Sequence, residues 1–213
     1  MIFSDRNDAA HRLARALEKF RGRHPLVLAI PRGAVPMGEI LARSLDGDLD
    51  VVLVRKLRAP DNPEFAIGSV AESGWSFVAP YAERAGATPA YLEEEKRIQL
   101  DTIRRRRERY TPLRPPIDPS GRLVIVVDDG LATGSTMISA LHSIRGKKPS
   151  LLVCAVPVAP EDTLERVRPL ADETVCLEVP EYFQAVGEFY FDFPQVTDDE
   201  VEAALRRAGK NAR

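Results

Sequence analysis

Leu123-Val124-Ile125-Val126-Val127-Asp128-Asp129-Gly130-Leu131-Ala132-Thr133-Gly134-Ser135-Thr136 is the run from which the architecture can be worked out. Its first five residues are apolar without a break. That is too short for a helix and typical of a strand covered on both faces. Two acids and a loop of small residues follow, and the pattern from Ser135 to Arg145 predicts an amphipathic helix. A buried strand feeding a helix through a tight loop is the repeating unit of an α/β domain. The same alternation lies on both sides. Upstream, Leu26-Val27-Leu28-Ala29-Ile30 predicts a strand, residues 35–45 a helix and residues 50–55 another strand. Such a βαβ unit requires parallel strands and a right-handed crossover. Downstream, the pattern gives a strand at 151–156, a helix at 161–170 and a strand at 174–177. The expected fold is α/β, with a mostly parallel central sheet flanked by helices.

Other segments attach to this core. Ser4 is placed as the cap of a first helix with apolar residues Ala9, Leu13, Leu17 and Phe20, closed by Gly22. Residues 56–64 are read as a polar loop. Two short runs, 66–71 and 75–78, flank Glu72-Ser73-Gly74 and predict a hairpin. Thr88-Pro89 opens a long charged helix to about Arg109, with a thin apolar face of Tyr91, Ile98, Ile103 and Tyr110. Residues 72–117 are read as a helical insertion projecting from the core, either a lid or a dimer arm. Residues 179–213 are read as a small C-terminal hood and tail, with a last helix opened by Thr197-Asp198-Asp199-Glu200. Residues 1–213 thus form one expected domain.

Composition narrows the classes. Of 213 residues, 44% are hydrophobic, enough for a core, so intrinsic disorder is excluded. Thirty basic against 32 acidic residues leave a net charge of −2, so nucleic-acid binding would need a local patch. Cys154 and Cys176 offer no disulfide framework or zinc spacing, and His11, His24 and His142 are scattered. No apolar run reaches the roughly 20 residues of a membrane span. The expectation is a cytoplasmic protein with no membrane partner.

The chemistry gathers at the carboxyl end of the 123–127 strand, where open α/β sheets bind ligands. Bare amides at the start of the following helix, with the hydroxyls of Thr133, Ser135 and Thr136, form an anion cradle, and Gly134 admits close backbone approach. An exposed helix dipole contributes only about 0.3–1 kcal/mol, so amide and hydroxyl bonds must supply most of the affinity for a phosphate. Asp128 and Asp129 look misplaced beside an anion. They fit if the ligand also carries vicinal hydroxyls, or a divalent metal held through sugar oxygens. Phosphate on one side and a diol on the other describes a ribose 5-phosphate.

This segment resembles the 5-phosphoribosyl-1-pyrophosphate (PRPP) signature of the type I phosphoribosyltransferases. Ile30-Pro31-Arg32-Gly33-Ala34 is similar to that family's pyrophosphate loop. Val54-Arg55-Lys56-Leu57-Arg58, followed by Gly68, resembles the stretch leading into its mobile catalytic loop. The resemblance is nearest to a branch of uncharacterised predicted phosphoribosyltransferases, which share the aromatic pattern around Ala185-Val186-Gly187. It implies transfer of the 5-phosphoribosyl group to a nitrogen nucleophile, a nucleobase being the expected acceptor, with Mg²⁺ as cofactor. It also implies the roles. Asp128 and Asp129 hold the ribose hydroxyls and, indirectly, the metal. Leu131, Ala132, Thr133, Gly134, Ser135 and Thr136 hold the 5-phosphate. Arg32 and Gly33, with Arg55 and Lys56, take the pyrophosphate, with a cis peptide expected at Pro31–Arg32. Where some purine enzymes carry an acidic general base, this chain has Ala132, so Glu64 and Glu72 are both left as candidates.

Three features stay open. The run Arg104-Arg105-Arg106-Arg107 with Arg109 points all round a helix, which favours a solvated or subunit-facing surface over nucleic acid, and Asp101 is expected to pair with Arg105. Tyr182, Phe183, Phe189, Tyr190, Phe191 and Phe193 are either core packing or a hood that stacks on a flat acceptor, with Glu188 and Asp192 near base edges. The alternative to a transferase is a non-catalytic PRPP-sensing regulator that binds RNA or a partner protein. A homodimer is compatible with either.

Overall fold

In the computed structural model, which describes residues 3–210, the chain builds two sheets. The first helix, α1 (Arg6–Ala16), is capped by Asp5, whose side chain accepts from the Asp8 amide; Ser4 is not the cap. Then come β1 (Leu26–Ala29), α2 (Val35–Ser44) and β2 (Asp48–Val51). After an excursion into the second sheet, the alternation resumes with β6 (Leu123–Val127), α4 (Ser135–Arg145), β7 (Leu151–Val158), α5 (Glu161–Val167) and β8 (Glu173–Glu178). The five strands pair in the order β2-β1-β6-β7-β8, and every pairing is parallel. The sheet expected from the apolar runs is therefore present. Its central strands are buried on both faces, one against α1, α2 and the C-terminal helix α6 (Asp198–Lys210), the other against α4 and α5. The helix expected to reach residue 170 ends at Val167, and a 3-10 turn over Arg168–Leu170 accommodates Pro169.

One expected strand is two. The run 50–55 breaks after Val51, and β3 (Val54–Arg58) leaves for a second, antiparallel sheet with β4 (Ala66–Ala71) and β5 (Ser76–Val78). The reason is chemical: Arg55, Lys56 and Arg58 cannot enter a sheet covered on both faces. Lys56, expected in a loop, therefore sits in a strand.

The long helix α3 (Pro89–Tyr110) begins as expected, with Thr88 accepting from the Tyr91 amide. It does not stand clear of the core. Its buried residues are Glu95, Gln99, Ile103 and Tyr110, while Ile98 faces solvent. Glu95 Oε1 accepts from the Arg58 amide and from Gln99, and Gln99 Oε1 accepts from Arg55, so polar side chains clamp the helix onto β3. Asp101 pairs with Arg104 and Arg97, at 3.1 and 3.7 Å, in place of the expected Arg105. No described helix is long and apolar enough to cross a membrane.

Candidate functional site

β1 and β6 are adjacent and in register, with Ala29 beside Val127, so their carboxyl ends release two loops side by side. The Ile30 amide donates to the Val127 carbonyl at 3.0 Å and keeps the loops together for one more residue. The first loop holds Arg32 and Gly33 and contains the expected cis peptide, Pro31–Arg32. The second holds Asp128 and Asp129. Their approach is close enough to require glycine: a β-carbon on Gly33 would lie 2.1 Å from Asp129 Oδ2.

The two acids differ in their partners. Asp128 Oδ1 accepts from the Asp129 amide at 2.9 Å, and burial, then the neighbouring Asp129 charge, push its carboxyl well above the usual range. Lys56 and Arg6 pull the other way. Asp129 is also raised by burial, but Arg6 opposes it directly, with Nε 2.8 Å from Oδ2. Arg6 comes from the first turn of α1, 123 positions away. Its guanidinium also donates to the Pro194 carbonyl at 2.7 Å and lies 3.7 Å above the Phe193 ring. Tyr190 Oη donates to the Asp129 carbonyl at 2.6 Å. Backbone bonds from Phe3 to Phe189 and from Phe191 to Phe3 tie the hood to the amino-terminal segment. The aromatic tail thus splits: Tyr190 and Phe193 brace the acids, whereas Tyr182 and Phe191 are exposed. Glu188 turns back on the Ala185 amide.

The loop from Leu131 to Gly134 leads directly into α4. Gly134 sits at φ +70°, a left-handed conformation, and no side chain caps α4. Leu131 is anchored by its amide to the Val158 carbonyl, and the Ala132 carbonyl accepts from Thr163 Oγ1 at 2.7 Å. Thr133 Oγ1 and Ser135 Oγ lie 3.2 Å apart at the mouth, and the Ser135 carbonyl is held by buried Ser69. The first amides of α4 have no intrahelical acceptor.

Beside the cradle is a cavity of about 240 Å³ lined by Pro31, Arg55, Lys56, Arg58, Glu64, Arg106 and Thr136 among others. Burial lowers the Arg55 pKa, and the charges of Arg106 and Arg58 lower it further. Arg32 reaches Asp198 at 3.5 Å. Of the two glutamates left open, Glu64 lines this cavity, whereas Glu72 is held by Arg107 through bonds of 2.8 and 2.7 Å. His142 stacks on Trp75 at 4.0 Å, away from these residues.

The structure therefore brings together Asp128, Asp129, Arg32 and Gly33, and places Arg55, Lys56 and Thr136 around one cavity. The sequence reading missed Arg6, whose helix carries no motif. It also gave Arg106 no role, because four consecutive arginines hide which one turns inward. No group of three or more His, Cys, Asp or Glu residues among those described forms a protein-only metal cage. The paired acids instead fit Mg²⁺ held by one or two carboxylates together with ligand oxygens and water.

A family model described as "Phosphoribosyl transferase domain" matches residues 5–193. The chain is 40% identical over 211 residues to the "Putative phosphoribosyl transferase Rv0571c" of Mycobacterium tuberculosis strain H37Rv, and equally to its counterpart in strain CDC 1551. That alignment covers 99% of this chain but 48% of each relative, so the chain spans about half their length. The crystal structure of TT1426 from Thermus thermophilus matches at 47% identity and a TM-score of 0.82, covering 98% of this chain and all of that one. A hypoxanthine-guanine phosphoribosyltransferase of Bacillus anthracis matches at 16% identity and a TM-score of 0.48, covering 90% of this chain and 91% of that one, too distant to bear on the acceptor. With the family model spanning both loops, the start of α4 and the aromatic segment up to Phe193, this chain belongs to the phosphoribosyl transferase domain family.

Proposed function

We propose that the chain binds PRPP and transfers its 5-phosphoribosyl group to a small nitrogen nucleophile, releasing pyrophosphate. The juxtaposition of Gly33 with Asp129 carries this reading, because it puts an anion loop and a pair of diol-binding acids in one crevice. The α4 amides and the hydroxyls of Thr133, Ser135 and Thr136 receive the 5-phosphate. Asp128 and Asp129 accept from the ribose hydroxyls and fix the sugar for attack at C1. Arg32, Arg55 and Lys56 gather the pyrophosphate and offset the negative charge that grows on it as the C1–O bond breaks. Asp128 and Asp129 would hold Mg²⁺, which would supply further positive charge for the same purpose. The transferred sugar passes through an oxocarbenium-like state, so the acids act by orientation and field. The nucleophile's proton goes to a base at the cavity, for which Glu64 is the available carboxylate.

The test is pyrophosphate release on mixing the protein with PRPP, Mg²⁺ and a panel of nucleobases and small amines. Release with one acceptor, abolished in Asp129→Asn, supports transfer. PRPP binding with no release from any acceptor would make the protein a sensor, and absence of PRPP binding would end both readings.

A further inference from the structure

The arginine run on α3 separates into distinct fates. Arg104 pairs with Asp101 at 3.1 Å, Arg107 is held by Glu72 at 2.7 Å, and Arg109 is held by Glu202. Arg105 is exposed. Arg106 is half-buried, has no acidic partner among the described residues, and lines the cavity with Arg55, Lys56 and Arg58. Four cations there face one carboxylate, Glu64. Like charges gathered around a small volume repel one another, and an anion between them removes that cost.

Arg106 reaches this position because α3 is keyed to β3. Glu95, Gln99, Ile103, Arg106 and Tyr110 follow at intervals of four, four, three and four, which is one face of a helix. Glu95 bonds the Arg58 amide and Gln99 bonds Arg55, so the upper part of that face fixes the register and the lower part delivers Arg106. One turn further on, Tyr110 is 1% exposed, yet its hydroxyl finds no hydrogen-bond partner among the described residues. It lies within electrostatic reach of Arg106, of the Asp198 carboxylate, and of Arg109 and Arg32. A buried hydroxyl without a partner keeps both donor and acceptor capacity at the foot of the face that carries Arg106.

We propose that Arg106 binds the pyrophosphate end of the ligand, making α3 part of the binding site and giving that end a preference for a diphosphate. This inference rests on the phosphoribosyl-transfer reading above. It is tested on the full chain by titration calorimetry with two probes, inorganic pyrophosphate and ribose 5-phosphate. Arg106→Gln should weaken pyrophosphate about 10–100-fold and leave ribose 5-phosphate within about twofold. Arg106→Lys should recover part of the loss, since it restores the charge without the planar fork. Arg105→Gln should change neither affinity. If Arg106→Gln binds pyrophosphate as tightly as the parent while the parent binds both probes, this inference falls and the transfer reading stands. Equal loss of both probes in Arg106→Gln would also overturn it, by showing a general disturbance. A parent protein that binds neither probe would defeat the transfer reading itself.

Discussion

Replacing Gly33 with alanine tests whether the two loops meet as described. The added methyl would sit 2.1 Å from Asp129 Oδ2, 2.9 Å from its Cγ and 3.4 Å from Arg6 Nε. Gly33 is not among the positive-φ residues, so alanine meets no backbone strain and the outcome depends on the carboxylate alone. Asp129 cannot swing away freely, because Arg6 holds the same oxygen at 2.8 Å. Overpacking costs about 1–3 kcal/mol, and loosening a charge-assisted bond about 1.5–3 kcal/mol if it breaks fully. The stiffer unfolded chain offsets about 0.4–1 kcal/mol. A net loss of about 1–3 kcal/mol is expected, which lowers the Tm of a domain this size by roughly 2–12 °C. Thermal unfolding measures it. The same substitution in an Asp129→Ala background should cost little or nothing, since the obstructing atoms are gone, while PRPP binding stays lost in both. An identical Tm loss in the two backgrounds would refute the contact, and unchanged Tm with unchanged PRPP binding in Gly33→Ala alone would refute the whole juxtaposition.

Other substitutions separate chemistry from support. Asp129→Asn keeps the shape but weakens the grip on Arg6 and on the ligand, so turnover should fall by at least about 100-fold while Tm drops only a few degrees, as read by pyrophosphate release and calorimetry. Glu64→Gln should lower turnover with little change in Tm. Glu72→Gln should do the reverse, because Glu72 serves Arg107 and stands outside the cavity. Asp48 makes stability pH-dependent. Burial alone would raise its carboxyl pKa, but Arg122 and Arg114, at 2.8 and 3.0 Å, hold it below the usual range. Its contribution is therefore complete above the unfolded value of about 3.9 and is lost as pH falls through the lower folded value. Asp48→Asn should flatten the urea-midpoint profile below about pH 4 and leave its shape near pH 7 unchanged.

The parallel sheet could be read from the sequence because both faces of β1, β6 and β7 are buried, which leaves apolar runs that no helix period explains. The loop between β6 and α4 stood out as a candidate site for a related reason: acids, small residues and hydroxyls between a buried strand and a helix have few other uses. The break between β2 and β3 was hidden, since Val51-Val52-Leu53-Val54 is apolar throughout and the charges that force the departure come afterwards. The packing of α3 was hidden too, because Glu95 and Gln99 are buried for their hydrogen bonds, and periodicity counts apolar residues only. Arg6 was beyond reach in another way. It is one of many arginines, and only the crossing of the hood over α1 brings it to Asp129.

The acids themselves say most about the ligand. Two neighbouring carboxylates taken largely out of water repel each other and lose hydration, a cost of several kcal/mol unless partners replace what was lost. Asp129 regains much of it from Arg6, and Phe193 and Pro194 hold that guanidinium in place. Asp128 regains little: it accepts from the Asp129 amide, out of about four acceptor sites that a carboxylate offers. A site for phosphate alone would gain nothing from this arrangement and would be weakened by its negative charge. On the proposed reading, the balance is restored by a ligand that presents hydroxyl donors to Asp128 while its anionic groups lie on the α4 amides and the Arg55–Arg58 side. A phosphorylated sugar satisfies both demands at once, and neither a free anion nor an uncharged diol does.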